Sequence, residues 1–411
     1  MAAGGDKGTI STGWRRVLEL QKSIQSGGLS GALIHKPENI YYFSRVFPIE
    51  PSFLIVPYQG EPELVVASSS FKEASRDSLL PVTAGELDIT RTVRERLLKR
   101  GCLVSEKAAP LKRLWHNIQG QHLGVEFDYF NLNLKKYLQA GSCLDITPII
   151  NEMRMIKDSS EISCLKEACR IADAAMAETA SLIRAGMTER EVSGLMDRFI
   201  KARGADESKA RVRAGVNSAK AFTRWMGGEV VEGPLLIDYG ARVQGYWSDI
   251  ARTFYVGKNP DPLFEKIYTL VQDAQLKGFE QMLPGKSIYQ VEEAIRRVFA
   301  AQGYDQKMIY TAGHGIGLEI HEEPILSMPP QYEEEHPEYP SWSQAAKIYQ
   351  TMVNQGGKEI GPVFARGQTY ALEPGIYIEK FGIRIEDMVL IGDNPELMSS
   401  YPRKLEEVTI G

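Results

Sequence analysis

Over the first 150 residues, short apolar runs alternate with amphipathic stretches. GALIHK (31–36), SFLIVPY (52–58), PELVVAS (62–68) and HLGVEF (122–127) have the length and content of buried strands. TVRERLLKRG (92–101) between them has the spacing of a helix face. Strands alternating with helices predict an α/β domain with a largely buried sheet. Near residue 151 the texture changes. Asp158 and Glu161 form a capping-box pattern that opens a helix running to a stop at Gly186. Thr188 and Glu191 repeat the pattern at once. Val192, Leu195, Met196, Phe199 and Ile200 then share one helical face, and Gly204 ends it. The expected domains are therefore 1–157 and 158–411.

The helical unit occurs twice. LIRAGMTEREVSGLMDRFIKARG at 182–204 aligns without gaps to QMLPGKSIYQVEEAIRRVFAAQG at 281–303, pairing Gly186 with Gly285 and Gly204 with Gly303. Each copy is followed by a hairpin pattern. In PLLIDYGARVQGYWSDIARTFYV, Asp238 and Asp249 are symmetric about position 243.5, which predicts that they sit opposite or nearly opposite one another. In LEPGIYIEKFGIRIED, Glu373 and Glu386 are symmetric about 379.5. Each half of an apparent duplication thus carries two carboxylates on one hairpin.

Four carboxylates facing one spot repel strongly unless protons or cations neutralise them. Solvated turn charges are the alternative. Leu236, Ile237, Ile250, Leu372 and Ile385 weigh against it, because unpaired carboxylates are costly in apolar surroundings. A nitrogen ligand is available in TAGHGIGLEIHEEP, where His314 lies between glycines and His321 follows seven residues later. Such a donor set is hard and oxygen-rich. It suits Mn(II), with Co(II), Fe(II) or Zn(II) as alternatives. Two ions about 3.5–4 Å apart can activate water and polarise a carbonyl.

Composition narrows the remaining chemistry. The 411 residues are 43% hydrophobic and 25% charged, with 48 Lys plus Arg against 53 Asp plus Glu and a net charge of −5. That balance argues against a dedicated nucleic-acid or anionic-membrane binder. No run approaches the roughly 18 apolar residues of a membrane span. The four cysteines form no CxxC spacing, and Cys164 and Cys169 read as small buried hydrophobes. With no signal-peptide pattern at the N-terminus, a cytoplasmic location is expected. Of six histidines, His35, His116 and His122 are scattered and read as structural or solvated.

DYG-x8-D (Asp238 to Asp249), GHGIG (His314), LEPGIY (Glu373) and GIRIED (Glu386) together resemble the pita-bread metallopeptidases. These include aminopeptidase P, prolidase, methionine aminopeptidase and the creatinase-like hydrolases. GALIHKPENIYYFSRV resembles the opening of the creatinase/prolidase N-terminal domain, and MRMIKDSSEI its junction. The resemblance implies an α/β N-terminal domain of creatinase/prolidase type. It adds an α+β C-terminal pita-bread domain with a pseudo-twofold duplication. It also implies hydrolysis of an amide bond in a small peptide or amide, of the Xaa-Pro type, often by a homodimer. Asp249 and Glu386 would bridge two ions, Asp238 would complete one, and His314 with Glu373 the other. Glu373 would also handle the proton of the attacking water. His321 matches a substrate-contacting histidine, against the alternative of a solvated loop residue. Arg384 matches a family arginine that supports the ligands.

Two departures stand out. Xaa-Pro peptidases normally carry a further histidine about 17 residues before the first Asp ligand, to assist the scissile carbonyl. Here the stretch reads SAKAFTRWMGG (218–228) and has none. Arg224 within it either grips a substrate carboxylate or is a plain surface residue. The second departure is a Pro-, Tyr- and Glu-rich stretch around 328–362, holding His336, which reads as a lid, a dimer contact or a passive excursion. The missing histidine favours an alternative reading, a non-peptidase C–N hydrolase like creatinase or ectoine hydrolase. An inactive binding module is the third reading, and retention of all five ligands speaks against it.

Overall fold

The computed structural model describes residues 11–85, 89–100, 102, 122–129, 134, 143–221, 225–228, 230, 232–328 and 363–411. The chain divides into two compact units, 1–153 and 154–411.

In the first unit the apolar runs become strands β1 (Leu29–Ile34), β2 (Phe53–Pro57), β3 (Glu63–Ala67) and β5 (His122–Val125). With β4 (Val82–Gly85) and β6 (Cys143–Asp145) they form one mixed sheet in the order β4-β3-β2-β1-β5-β6. β1 runs antiparallel to β2 and parallel to β5. The helix Ile89–Lys99 lays Val93 and Leu97 on Leu33, Phe53, Ile55 and Val65, which closes the core on that face. His35 bonds through Nε2 to the Tyr129 carbonyl at 3.1 Å, in keeping with a structural histidine.

The second unit opens with both capping boxes in place. Asp158 caps the helix Ser159–Ala180 and Thr188 caps Glu189–Ala202. The first helix ends six residues before the predicted stop, and a turn carries the chain to Gly186. The repeat supplies a matching pair, Pro262–Phe279 and Tyr289–Ala300. Its paired glycines share a left-handed backbone: Gly186 and Gly285 have φ of 89° and 83°, Gly204 and Gly303 have 89° and 75°. Cys164 and Cys169 are both buried, as expected.

Two sheets carry the hairpins. One joins β7 (Glu207–Ala214), β8 (Gly233–Val243), β10 (Ile250–Val256) and β18 (Thr409–Ile410), with β9 (Tyr246–Trp247) paired to β8. The other has the order β12 (Glu322–Leu326), β11 (Gly313–Gly315), β13 (Thr369–Leu372), β16 (Asp387–Ile391) and β17 (Pro395–Leu397). A ribbon of β14 (Gly375–Tyr377) and β15 (Gly382–Arg384) extends the second hairpin. A backbone bridge ties the two hairpins, with Glu386 N–H donating to the Ala251 carbonyl at 3.0 Å and Ala251 N–H to that of Glu386 at 3.3 Å.

The first hairpin departs from its predicted register. Gln244 and Gly245 both take positive φ, 46° and 84°, so the tight turn lies between them rather than at 243.5. Asp238 therefore faces Ala251, and Asp249 falls in line with Gly240. The slip is an even number of residues, so both carboxylates keep the same face. The second hairpin follows prediction, since Leu372↔Asp387 and Gly375↔Arg384 flank Glu373 and Glu386 on either side.

Candidate metal centre

Asp238 lies within β8, Asp249 precedes β10, His314 is the middle residue of β11, and Glu373 and Glu386 adjoin β13 and β16. Donor atoms of His314, Glu373 and Glu386 lie within 4.8 Å of one another, and so do those of Asp238, Asp249 and Glu386. A third such group joins Asp249, His314 and His321. The five predicted ligands thus converge on one spot, and all three groups share members.

Firm partners hold these side chains. His314 donates from Nδ1 to the Gly315 carbonyl at 3.0 Å, which turns Nε2 toward Glu373 Oε1 at 3.5 Å. Burial pushes the imidazole down to about 4, so it is neutral and presents a lone pair to the cluster. Below the cluster, fully buried Arg252 donates to the Glu386 carbonyl at 2.6 Å and to Asp387 Oδ1 at 2.6 Å. Gln275 bonds Asp387 Oδ2 at 3.0 Å and the Ile385 carbonyl at 3.1 Å. The backbones carrying the ligands are therefore fixed from behind.

The charges are far from balanced. Burial, reinforced by the neighbouring carboxylates, pushes Glu373 up to about 7 despite Arg384 beside it. Burial together with Asp249 and Glu373 holds Glu386 well above the carboxylate range, and burial also raises Asp249 against the pull of Lys209. Asp238 goes the other way, because Lys209 and Arg384 outweigh its burial and hold it well below the carboxylate range. Glu386 Oε2 is buried with no hydrogen-bond donor among the described residues, and Arg384 Nε stands 3.8 Å away. An orphaned carboxylate oxygen beside a neutral imidazole fits a divalent cation.

Arg384 pairs with Asp238 and, at 3.3 Å, with Glu373 Oε2. The ring of His321 meets that of His314 edge-on, with centroids 4.2 Å apart. Ala221, 17 residues before Asp238, packs against Leu236, Ala251, Tyr310 and Tyr377. The position of the absent histidine is thus lined by apolar side chains and by the paired hydroxyls of Tyr310 and Tyr377, 2.9 Å apart. Arg224, His116, His336 and nearly all of the 328–362 stretch lie outside the described residues.

Two features escaped the sequence reading. Glu189 accepts bonds from the backbone N–H of Ala214, Gly227 and Gly228 and from Asn217, which ties together the ends of the loop between β7 and β8. More consequential is Lys209 on β7. Its ammonium lies 2.8 and 2.9 Å from the two oxygens of Asp249 and 2.9 Å from Asp238 Oδ1. The alternation of Lys209, Arg211 and Arg213 along one strand was the available signal, since a cationic row beside a carboxylate hairpin calls for a partner.

Paired helices, two hairpin-bearing sheets in similar halves and a buried carboxylate–imidazole cluster define a pita-bread metallohydrolase. Comparison with known proteins agrees. Residues 163–393 match Metallopeptidase family M24 and residues 16–156 match the Creatinase/Prolidase N-terminal domain. The chain belongs to metallopeptidase family M24. It is 30% identical over 393 residues to the Xaa-Pro dipeptidase of Pyrococcus furiosus, spanning 92% of this chain and 95% of that one. It is 28% identical over 394 residues to the Xaa-Pro dipeptidase of Pyrococcus horikoshii, with the same coverage. The solved prolidase from Pyrococcus furiosus superimposes with a TM-score of 0.76 at 27% identity, covering 93% of this chain and 99% of that chain.

Proposed function

We propose that this chain is a divalent-metal-dependent Xaa-Pro peptidase, acting on small peptides through the cluster of Asp238, Asp249, His314, Glu373 and Glu386. The observation that carries the reading is the convergence of His314, Glu373 and Glu386 donors on one buried spot. A divalent ion bound there supplies Lewis-acid polarisation of the amide carbonyl and lowers the pKa of water. The oxygen-rich donor set favours Mn(II), ahead of Co(II), Fe(II) or Zn(II). Glu373 takes the proton of the attacking water. Arg384 keeps the Glu373 and Asp238 carboxylates oriented, and His321 contacts the substrate beside His314. Arg224 pairs with a substrate carboxylate. The catalytic half is 158–411, preceded by the 1–157 domain, in a cytoplasmic homodimer. Among the described residues no helix is long and apolar enough to cross a membrane.

One observation favours a second reading. Ala221 stands where an Xaa-Pro peptidase carries its further histidine, so a non-peptidase C–N hydrolase is the runner-up. The deciding assay compares Xaa-Pro dipeptides, longer Xaa-Pro peptides and cyclic or guanidino amides with Mn(II) added. Turnover of dipeptides, lost in Glu386→Ala together with bound metal, is the expected result. Turnover of the non-peptide panel alone overturns the peptidase assignment. Unchanged activity in Glu386→Ala overturns the metal mechanism.

A further inference from the structure

The Lys209 ammonium has three N–H donors, and three carboxylate oxygens surround it at 2.8–2.9 Å. Its place follows from the strand register. Lys209 pairs with Gly240 on β8, and on the other side of Gly240 lies Asp249. Gly240 has no side chain, and a Cβ there would stand 2.0 Å from the Ser248 carbonyl oxygen. Lys209 and Asp249 therefore meet across the bare backbone of the strand between them.

This leaves a particular set of donors open. Both oxygens of Asp249 are taken by Lys209. Asp238 is flanked by cations on both sides, with Oδ1 ion-paired to Lys209 at 2.9 Å but not hydrogen-bonded, and Oδ2 bonded to Arg384. Among the described residues, the cluster atoms that neither cation holds within 3 Å include His314 Nε2, Glu373 Oε1 and Glu386 Oε2. These belong to a single ligand group, and three protein ligands with positions left for water and substrate make a catalytic site. The charge count agrees. Four ionised carboxylates with Lys209 and Arg384 carry a formal surplus of two negative charges, which one divalent ion cancels.

Resting on the metal-centre reading above, we infer that the Lys209 ammonium takes the place of the second ion. The chain then holds one divalent ion, on His314, Glu373 and Glu386. Lys209 is here a positioning residue that fixes Asp238 and Asp249 by charge.

The test counts ions and needs no turnover. The full-length chain, stripped with chelator and titrated with Mn(II) alone, is analysed for bound metal and by electron paramagnetic resonance. One Mn(II) per chain with the signal of an isolated ion is expected, rising to two spin-coupled ions in Lys209→Ala. Lys209→Ser is measured in parallel, and a thermal melt confirms folding of each variant. Two ions in the unaltered chain overturn the inference, whatever the variants do. One ion in the unaltered chain and one in both folded variants overturns it as well, since Lys209 would not be what excludes the second. No bound ion in any form overturns the metal-centre reading itself, and the inference falls with it.

Discussion

Glu322 shows how the environment of a single carboxylate sets its behaviour. It is buried, which by itself would raise its pKa, but Arg154 and Lys157 outweigh that and bring it down to about 2. Lys157 Nζ lies 3.2 Å away, and Arg154 also reaches Glu319 at 3.0 Å. The cluster braces the turn that carries His321. A carboxyl whose folded pKa lies below its ordinary value of 4.5 stabilises the fold above that value and loses the contribution as pH falls toward 2. Glu322→Gln removes the carboxylate that buried Lys157 and Arg154 share and should cost about 3–5 kcal/mol at pH 7. The same change should flatten the acid limb of the stability curve between about pH 4.5 and 2. Urea unfolding at a series of pH values checks both, and an unaltered acid limb would show that Glu322 is not the group responsible. At His314 the expected effect is on binding. Removing an outer-shell partner typically weakens metal affinity about 10–100-fold, so His314→Ala, which removes a ligand itself, should exceed 100-fold. Mn(II) titration by calorimetry measures it.

At the scale of elements, the second hairpin was legible to the residue and the first was not. Symmetry about a turn locates facing residues only when the turn centre is known. In LEPGIYIEKFGIRIED the pairing keeps the predicted centre on both sides of the break at Glu373 and Glu386. In the first hairpin Gln244 takes a positive φ, an unusual choice that nothing in its identity announces, and the centre moves by one position. The helix starts were legible because capping boxes are written in local residue types, whereas Lys209 was not, because its role depends on a partner strand. Gly240 is where this element scale can be tested. Gly240→Ala drives a methyl into the Ser248 carbonyl and should destabilise the unit by about 1–3 kcal/mol while displacing Asp249. Thr188→Ala should cost a comparable ~1 kcal/mol through loss of its cap, yet leave Mn(II) affinity unchanged. Matching losses of Mn(II) affinity in the two variants would refute a specific role for Gly240.

At the scale of the whole molecule, the ligands come from two halves that the chain keeps far apart in sequence. Among their backbone connections near the site are the Ala251–Glu386 bridge and the bond from Trp247 N–H to the Gly317 carbonyl. Carboxylates from both halves outnumber Lys209 and Arg384 there, so the cluster opposes the packing that creates it until a divalent ion is present. Binding free energy at the centre is therefore folding free energy for residues 154–411, because the first unit has its own core and, among the described residues, contributes no ligand. Mn(II) at 100 times its Kd should stabilise the second unit by about 2.7 kcal/mol. For a unit of this size that corresponds to a rise of roughly 5–10 °C in its Tm. Hydrogen exchange read segment by segment should show added protection in β8, β10, β13 and β16 and none in β1 to β3, with chelator reversing it. Equal protection of both units would mean that the ion acts through something other than the carboxylate cluster. An unmoved second unit would mean that the repulsion is already relieved without it.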